Sequence, residues 1–171
     1  QKDDFINETK NAVSDYFPDL KDNDDYTSII NQNHYDRLQD LLNDAIEKGA
    51  TIDEINPANE DFSQQEHFKI PPTIVSNTTD DMKIMQEEIF GPLLPVVEYD
   101  EIDEATKLIN SKDRPLGLYY FGNDQSEQDN ILNKTSSGGV TVNNVISHLQ
   151  QNDLSFGGVG PSGMGRYKSF E

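Results

Sequence analysis

The chain has 171 residues, with 32 Asp and Glu against 13 Lys and Arg, and therefore a formal net charge of -19 at pH 7. This balance argues against a nucleic-acid binder, which needs clustered Lys and Arg, and is interpreted as a solvated acidic surface. The absence of cysteine excludes disulfides and cysteine-ligated zinc, and no apolar run is long enough to span a membrane as a helix.

Two helices are predicted in the N-terminal part of the chain. Apolar residues at helical spacing predict the first over 3–17, and Pro18 ends the pattern. The clearest helix is predicted over 34–48, and Gly49 follows it as the expected C′ residue. One face of this second helix carries Tyr35, Leu38, Leu42 and Ala45, with Leu41 and Ile46 beside it.

The next part of the chain is predicted to contain an exposed loop and then a strand. Residues 53–66 are acidic and polar, which is typical of a loop. Residues 68–75 are predicted to form a strand that is entered through Pro71 and Pro72. Because proline has no N–H group to donate to a neighbouring strand, this entry favours a sheet edge or the start of a strand.

From residue 93 onward the pattern alternates between strands and helices. The helices are predicted to begin at Asp100 and at Asp124, and Glu127 completes a capping box with Asp124. Strands separated by helices of about ten residues imply right-handed crossovers and a parallel sheet, and hence an α/β fold. The three strands in question are predicted over 93–99, 116–121 and 139–143.

The segment Gln86-Glu87-Glu88-Ile89-Phe90-Gly91-Pro92 places a carboxylate and an aromatic ring two residues apart, before a Gly-Pro turn. In extended backbone, residues i and i+2 point to the same side, so Glu88 and Phe90 can face one ligand. A carboxylate can accept hydrogen bonds from both hydroxyls of a ribose, and a ring can pack on the sugar and its heterocycle. The segment predicts half of a nucleotide site. The alternative is an exposed Glu88 next to a Phe90 in the core.

A second motif, over 154–165, has five glycines in nine residues from Gly157 onward. Glycine tolerates positive φ and lets backbone segments approach closely. A flexible linker would lack the apolar residues between these glycines, so we predict a loop that packs against another part of the protein. No Gly-Lys-Ser/Thr is present, so the motif is not a phosphate loop. The apolar residues are Leu154, Phe156, Val159 and Met164.

Together the two motifs resemble the aldehyde dehydrogenase superfamily. Glu87 to Pro92 matches the family pattern Glu-Glu-Ile-Phe-Gly-Pro. Ser155 to Gly158, followed by Ser162 to Gly165, is similar to Pro-Phe-Gly-Gly and Ser-Gly-x-Gly, with serine where the family usually has proline. Residues 137–144 resemble the family's Gly-Gly-Val-x-Val-Asn strand.

Two earlier segments resemble the coniferyl-aldehyde-dehydrogenase-like branch of that superfamily. They are 25–31, with the sequence Asp-Tyr-Thr-Ser-Ile-Ile-Asn, and the double proline of Pro71-Pro72-Thr73. The resemblance thus covers the chain from about residue 5 to its end. It implies a single domain over 1–171: a three-layer, open, twisted, mostly parallel sheet with helices on both faces, truncated relative to the whole catalytic domain.

The resemblance implies that the parent protein oxidises an aldehyde to a carboxylic acid with NAD or NADP, through a cysteine thiohemiacetal and thioester. The family's cysteine, its general-base Glu and its phosphate-binding glycine loop all lie upstream in the family's order. Because the sequence begins at Gln1 rather than methionine, we expect the C-terminal part of a longer polypeptide with the cysteine shortly before Gln1. No catalytic residue is expected in this chain, and the isolated chain is expected to be inactive.

By the same resemblance, four residues are expected at the ligands. Glu88 would accept hydrogen bonds from the nicotinamide ribose, and Phe90 would pack beside that ribose and its ring. Phe156 would line the aldehyde pocket. His148, with Leu149 and Gln150, lies in a connection that helps to wall the family's aldehyde tunnel; the alternative is a plain surface loop.

Two further polar residues are expected to be structural by the same resemblance. Asn143 would close backbone hydrogen bonds at the end of its strand, and Glu87 would be a surface or supporting acid. No metal site is predicted, since the three histidines share no ligand spacing.

The expected setting is cytoplasmic, with a small aldehyde as substrate, no nucleic acid or membrane partner, and a homodimeric or homotetrameric parent. Two alternatives remain open from the sequence. One is a non-enzymatic acidic interaction module that kept the fold, and the other is a semialdehyde dehydrogenase of the same superfamily.

Overall fold

The computed structural model describes residues 1–168. They form two compact units, the first from Gln1 to Glu98 and the second from Tyr99 onward. Both units combine helices with parallel strands, which confirms the α/β class. The prediction of a single domain over 1–171 stays a prediction. Within the described residues, no helix is both long enough and apolar enough to cross a bilayer.

The first unit contains two helices and a three-stranded sheet. The sheet order is β1-β2-β3; β1 pairs antiparallel with β2, and β2 pairs parallel with β3. A short 3-10 turn, Lys83–Met85, precedes the last strand. The bounds are α1 Lys2–Tyr16, α2 Gln32–Glu47, β1 Thr51–Glu54, β2 Thr73–Ser76 and β3 Leu93–Val96.

This sheet has a helix on each face. Successive side chains of a strand point to opposite faces, and in the central strand β2 they belong to two different clusters. Val75 packs with the buried stripe of α2 that includes Leu38 and Leu41. Ile74 packs with Ile6 of α1. The first unit therefore has the three layers that the resemblance implied for the chain.

Helix α2 ends as its sequence predicted but begins at Gln32, two residues before the predicted start. At its start, the Asn31 side chain accepts a hydrogen bond from the His34 N–H at 3.0 Å. At its end, Gly49 has φ +92° and donates to the Ile46 carbonyl, while Ala50 donates to the Ala45 carbonyl. These two bonds define a Schellman motif with glycine at C′. Ile46, expected beside the buried face, is instead 53% exposed.

Strand β1 corrects the prediction that 53–66 is entirely loop. Its four residues, Thr51–Glu54, are polar apart from one isoleucine and lie at the edge of the sheet, half-buried or exposed. Charged residues are common on such edges, so the strand gives little local signal. Its pairing with the fully buried β2 creates it. The strand predicted over 68–75 is shorter in the structure: β2 begins only after Pro72, at Thr73, and it is the central strand of the sheet rather than an edge.

The second unit is built around a β-α-β segment. Strands β4 and β5 pair in parallel from Gly117–Gly139 to Tyr120–Val142, and α4 connects them. This parallel pairing confirms the prediction for β4 and β5, whereas β3, the first of the three strands predicted from the alternating pattern, pairs with β2 in the first unit. The bounds are α3 Ile102–Ser111, β4 Gly117–Tyr120, α4 Gln125–Lys134, β5 Gly139–Val142 and α5 Ser147–Gln150.

The predicted helix caps of this unit are partly right. Asp124 caps α4 by accepting from the Glu127 N–H at 3.0 Å. Glu127 does not complete the capping box, because its carboxylate accepts the Tyr120 hydroxyl at 2.8 Å. The prediction that Asp100 caps α3 is wrong: the N-cap is Glu101, without a side-chain cap bond.

Candidate functional site

Phe90 and Glu88 are both exposed at the surface of the first unit. Phe90 is 76% exposed and has φ +46°. Its backbone is therefore left-handed, so the premise that Glu88 and Phe90 share a face through extended backbone is wrong at Phe90. The alternative of a core phenylalanine is wrong as well. A non-glycine residue at positive φ costs on the order of 1–3 kcal/mol and persists only where neighbouring contacts impose it.

Those neighbouring contacts come from α2. The guanidinium of Arg37 donates to the backbone carbonyls of Glu88, at 3.3 Å, and Ile89, and pairs with the Glu87 carboxylate at 3.3 Å. Ile89 is half-buried and packs against the core cluster that contains Leu38. The segment is thus held through its backbone and through Ile89, while Glu88 and Phe90 keep exposed side chains.

Glycine is required at position 91, where the segment passes close to Leu38 of α2. A Cβ atom at Gly91 would lie 2.6 Å from both terminal methyl carbons of Leu38. Any larger residue would push the loop away from α2 or displace the fully buried Leu38. In this motif, Glu88 and Phe90 therefore face solvent, whereas Ile89 and Gly91 pack against α2.

In the second unit, the glycine-dense motif folds back on itself. Phe156 and Tyr167 exchange two backbone hydrogen bonds, at 2.8 and 2.9 Å, and their rings meet edge to face with centroids 5.3 Å apart. A Cβ at Gly157 would lie 2.3 Å from the Gly165 carbonyl oxygen, and one at Gly158 would lie 2.2 Å from that of Ser162. The glycines permit close backbone approach, which confirms a packed loop rather than a linker.

Phe156 and His148 lie together in this unit. Their ring centroids are 6.1 Å apart, and the His148 ring is 5.9 Å from that of Tyr119. Thr141 Oγ1 and His148 Nδ1 are 2.9 Å apart, so the hydroxyl orients the imidazole. Gly139 leaves room for the ring, because a Cβ there would lie 2.6 Å from His148 Cδ2.

An open hollow adjoins this aromatic group. It has a volume of about 480 Å³ and is lined by Leu116, Phe156, Met164 and Tyr167 together with Arg166 and glycine-loop backbone. Its walls combine apolar side chains with a few polar groups. Of the residues that the sequence predicted, Phe156 lines the hollow and His148 lies beside Phe156. The sequence missed Tyr167 in the hollow and Tyr119 and Thr141 beside His148, which no spacing rule connects to them.

Asn143 has the structural role that was predicted. Its backbone N–H donates to the Tyr120 carbonyl at 2.7 Å, which extends the pairing of β4 and β5 by one bond. Its side chain accepts from the Gly122 N–H at 2.9 Å and donates to the Gly122 carbonyl at 3.0 Å. These bonds close the carboxyl ends of both strands.

The hydroxyl of Tyr120 links strand β4 to helix α4. Burial and the hydrogen bond to Glu127 raise the pKa of Tyr120 to about 12, so its hydroxyl stays protonated and holds β4 to α4. Across residues 1–168, His, Asp and Glu side chains form no group of three or more that could hold a metal ion.

The chain thus carries an exposed glutamate and an exposed phenylalanine, Glu88 and Phe90, on one α/β unit, and a glycine-rich loop beside an aromatic hollow on the other. The sequence matches the profile of the aldehyde dehydrogenase family over residues 1–171. The chain therefore belongs to the aldehyde dehydrogenase family.

Individual relatives agree with this assignment. The chain is 58% identical over 167 residues to a probable coniferyl aldehyde dehydrogenase of Caulobacter vibrioides, covering 98% of this chain and 34% of the relative. A substrate-bound Staphylococcus aureus AldH is similar with a TM-score of 0.85 and 37% identity, over 98% of this chain and 35% of that one.

A variant of aldehyde dehydrogenase C from Pseudomonas syringae, in complex with NAD+ and octanal, has a TM-score of 0.71 and 30% identity, over 84% of this chain and 29% of that one. The chain thus spans about a third of the length of the relatives that it matches.

Proposed function

We propose that this chain supplies the residues that bind the nicotinamide ribose, and part of the aldehyde pocket, in an NAD- or NADP-dependent aldehyde dehydrogenase. The observation that carries the proposal is Phe90, an exposed aromatic ring at positive φ next to the exposed carboxylate of Glu88. Exposed apolar side chains and strained backbone conformations are both common at ligand-binding sites, so this combination favours a ligand contact at Phe90.

These groups fit a nicotinamide ribose. The Glu88 carboxylate is exposed and can accept two hydroxyl hydrogen bonds. The Phe90 ring offers an apolar face to the sugar and the heterocycle. When bound, the cofactor accepts the hydride that the aldehyde carbon loses. Glu88 and Phe90 hold its reactive ring in place, and a misplacement of about 1 Å can lower the rate on the order of 100-fold.

The chemistry itself uses a cysteine, which none of the 171 residues supplies. In this proposal, a thiolate from a preceding part of the enzyme attacks the aldehyde carbon and forms a thiohemiacetal. Loss of hydride gives a thioester, and water then releases the carboxylic acid and the free thiol. Phe156 and His148 contribute to the aldehyde pocket, where rings and an apolar hollow suit an aromatic or aliphatic aldehyde.

The similarity to the Caulobacter protein favours an aromatic aldehyde of the coniferyl type as substrate. The proposal includes a cytoplasmic enzyme that assembles as a homodimer or homotetramer.

A chimaera tests the proposal. Residues 1–171 replace the aligned third of the Caulobacter relative, and oxidation of coniferyl aldehyde is followed by NADH absorbance. We expect activity in the chimaera. Glu88→Gln should lower kcat/KM for NAD by about tenfold or more, since a charge-assisted hydrogen bond contributes about 1.5–3 kcal/mol.

The control is Glu47→Gln, which changes an exposed glutamate at the end of α2 and should leave kcat/KM for NAD unchanged. A folded chimaera without activity, or equal effects of the two substitutions, would contradict the proposed function.

A further inference from the structure

Arg37 is an α2 side chain that forms hydrogen bonds with the segment carrying Glu88 and Phe90. Its guanidinium contacts three acceptors on that segment: the carbonyls of Glu88 and Ile89 and the carboxylate of Glu87. A planar guanidinium has five donors in a fixed arrangement, so one side chain can hold all three. Two of the three acceptors belong to the backbone just before Phe90, so Arg37 fixes the main chain there.

We propose that Arg37 is a positioning residue for the nicotinamide half of the cofactor, acting through Glu88 and Phe90. This inference rests on the proposed function of those two residues. In the structure, Arg37 contacts the backbone and the Glu87 carboxylate of this segment, so its effect on the cofactor is indirect.

The left-handed backbone of Phe90 needs contacts that hold it in place, and we call the three contacts of Arg37 with this segment the Arg37 clamp. A phenylalanine rarely adopts φ +46° unless its neighbours impose that conformation. Arg37 holds the two carbonyls that precede it, and the fit of Gly91 against Leu38 holds the residue that follows it. Phe90 is therefore fixed from both sides although its ring is exposed.

The clamp has a geometric requirement that lysine cannot meet. Lysine has a single charged nitrogen in place of the rigid fork that reaches two carbonyls and a carboxylate. In the chimaera, Arg37→Met should lower kcat by about tenfold, and Arg37→Lys should recover only part of that loss. Glu87→Gln removes one charge but leaves both carbonyl contacts, so it should change kcat by less than about threefold.

Lys48→Met is the matched control. Lys48 is the C-cap residue of α2; it pairs with Asp44 at 2.9 Å and donates to the Asp81 carbonyl, and neither partner belongs to the segment 87–92. It should leave kcat unchanged even where it lowers the melting temperature as much as Arg37→Met does. If Lys48→Met and Arg37→Met lower kcat equally, Arg37 is an ordinary structural residue and the inference is overturned.

A double-mutant comparison separates positioning from general stability. In a Glu88→Ala/Phe90→Ala background, Arg37→Met should lower kcat by less than about twofold, because the groups it positions are already gone. A full tenfold loss in that background would overturn the inference.

If Glu88→Gln has an effect but neither Arg37 variant does, the positioning role fails while the proposed function stands. If Glu88→Gln itself has no effect, the proposed function fails first. Where Arg37→Met does not fold, Arg37→Lys is compared in both backgrounds instead.

Discussion

At the scale of single residues, the second unit holds two proposed substrate residues in an ordered aromatic group. The His148 ring lies between Tyr119 and Phe156, and Thr141 orients its Nδ1 atom. Phe156 in turn meets Tyr167 edge to face. Each ring is therefore fixed by another ring or by a hydrogen bond, which is the kind of preorganisation that a substrate wall needs.

Phe156→Ala tests this wall. If Phe156 lines the aldehyde pocket as proposed, removing its ring should raise KM for an aromatic aldehyde in the chimaera by about tenfold, since aromatic contacts and buried apolar area contribute about 1–3 kcal/mol. KM for NAD should stay unchanged. Phe121→Ala is the control, because Phe121 is 63% exposed in the same unit and lies outside the described ring contacts. Equal effects of the two substitutions on the aldehyde KM would argue against the assigned role of Phe156.

At the scale of elements, helix α2 contacts three other parts of the first unit. Its buried stripe packs on the sheet, Arg37 holds the Glu88 segment, and Asp44 holds the 3-10 turn Lys83–Met85. Asp44 accepts the Lys83 N–H at 2.8 Å and pairs with Lys48 at 2.9 Å. The hydrogen bond from the Lys83 backbone N–H, and then the bond from Lys48, lower the pKa of Asp44 below its ordinary value.

This pKa shift predicts a pH dependence of stability. A carboxyl whose pKa is lower in the folded state stabilises the fold above its unfolded pKa, which is about 3.9 for Asp, and loses that contribution as pH falls through the folded value. Asp44→Asn should therefore lower the urea midpoint of the chain at pH 7. The difference from the unsubstituted chain should shrink steadily below about pH 4.

The control for this pH dependence is Asp40→Asn. Asp40 is exposed one turn earlier on α2, so its substitution should leave the midpoint nearly unchanged at both pH values. A loss for Asp44→Asn that is as large at pH 3 as at pH 7 would contradict the lowered pKa of Asp44.

At the scale of the whole molecule, both units expose large apolar side chains. Phe90 is 76% exposed in the first unit, and Phe121 and Met164 are 63% and 98% exposed in the second. The chain spans about a third of its relatives, and exposed apolar groups commonly mark ligand or protein contact surfaces.

The absence of cysteine predicts how the purified chain behaves. Mixed with coniferyl aldehyde and NAD, it should produce no NADH, because no thiol is available to form the thiohemiacetal. The active chimaera, assayed at the same concentration, is the positive control. NADH formation by the isolated chain that depends on the aldehyde and persists after treatment with a thiol-blocking reagent would rule out this prediction.

The sequence by itself determined the local features of this protein. Helical spacing located α2, and Gly49 located its end. The alternating pattern predicted parallel strands, and the two motifs identified the family. All of these signals depend on residues that are close together along the chain. Tertiary structure decided the features that depend on distant residues. Arg37 meets Glu87, 50 residues away, and β1 exists because β2 pairs with it. The left-handed backbone of Phe90 is likewise a tertiary feature: the sequence predicts extended backbone there, whereas the structure has φ +46° in a segment that Arg37 of α2 holds. Packing selects such long-range contacts, and no local spacing records them.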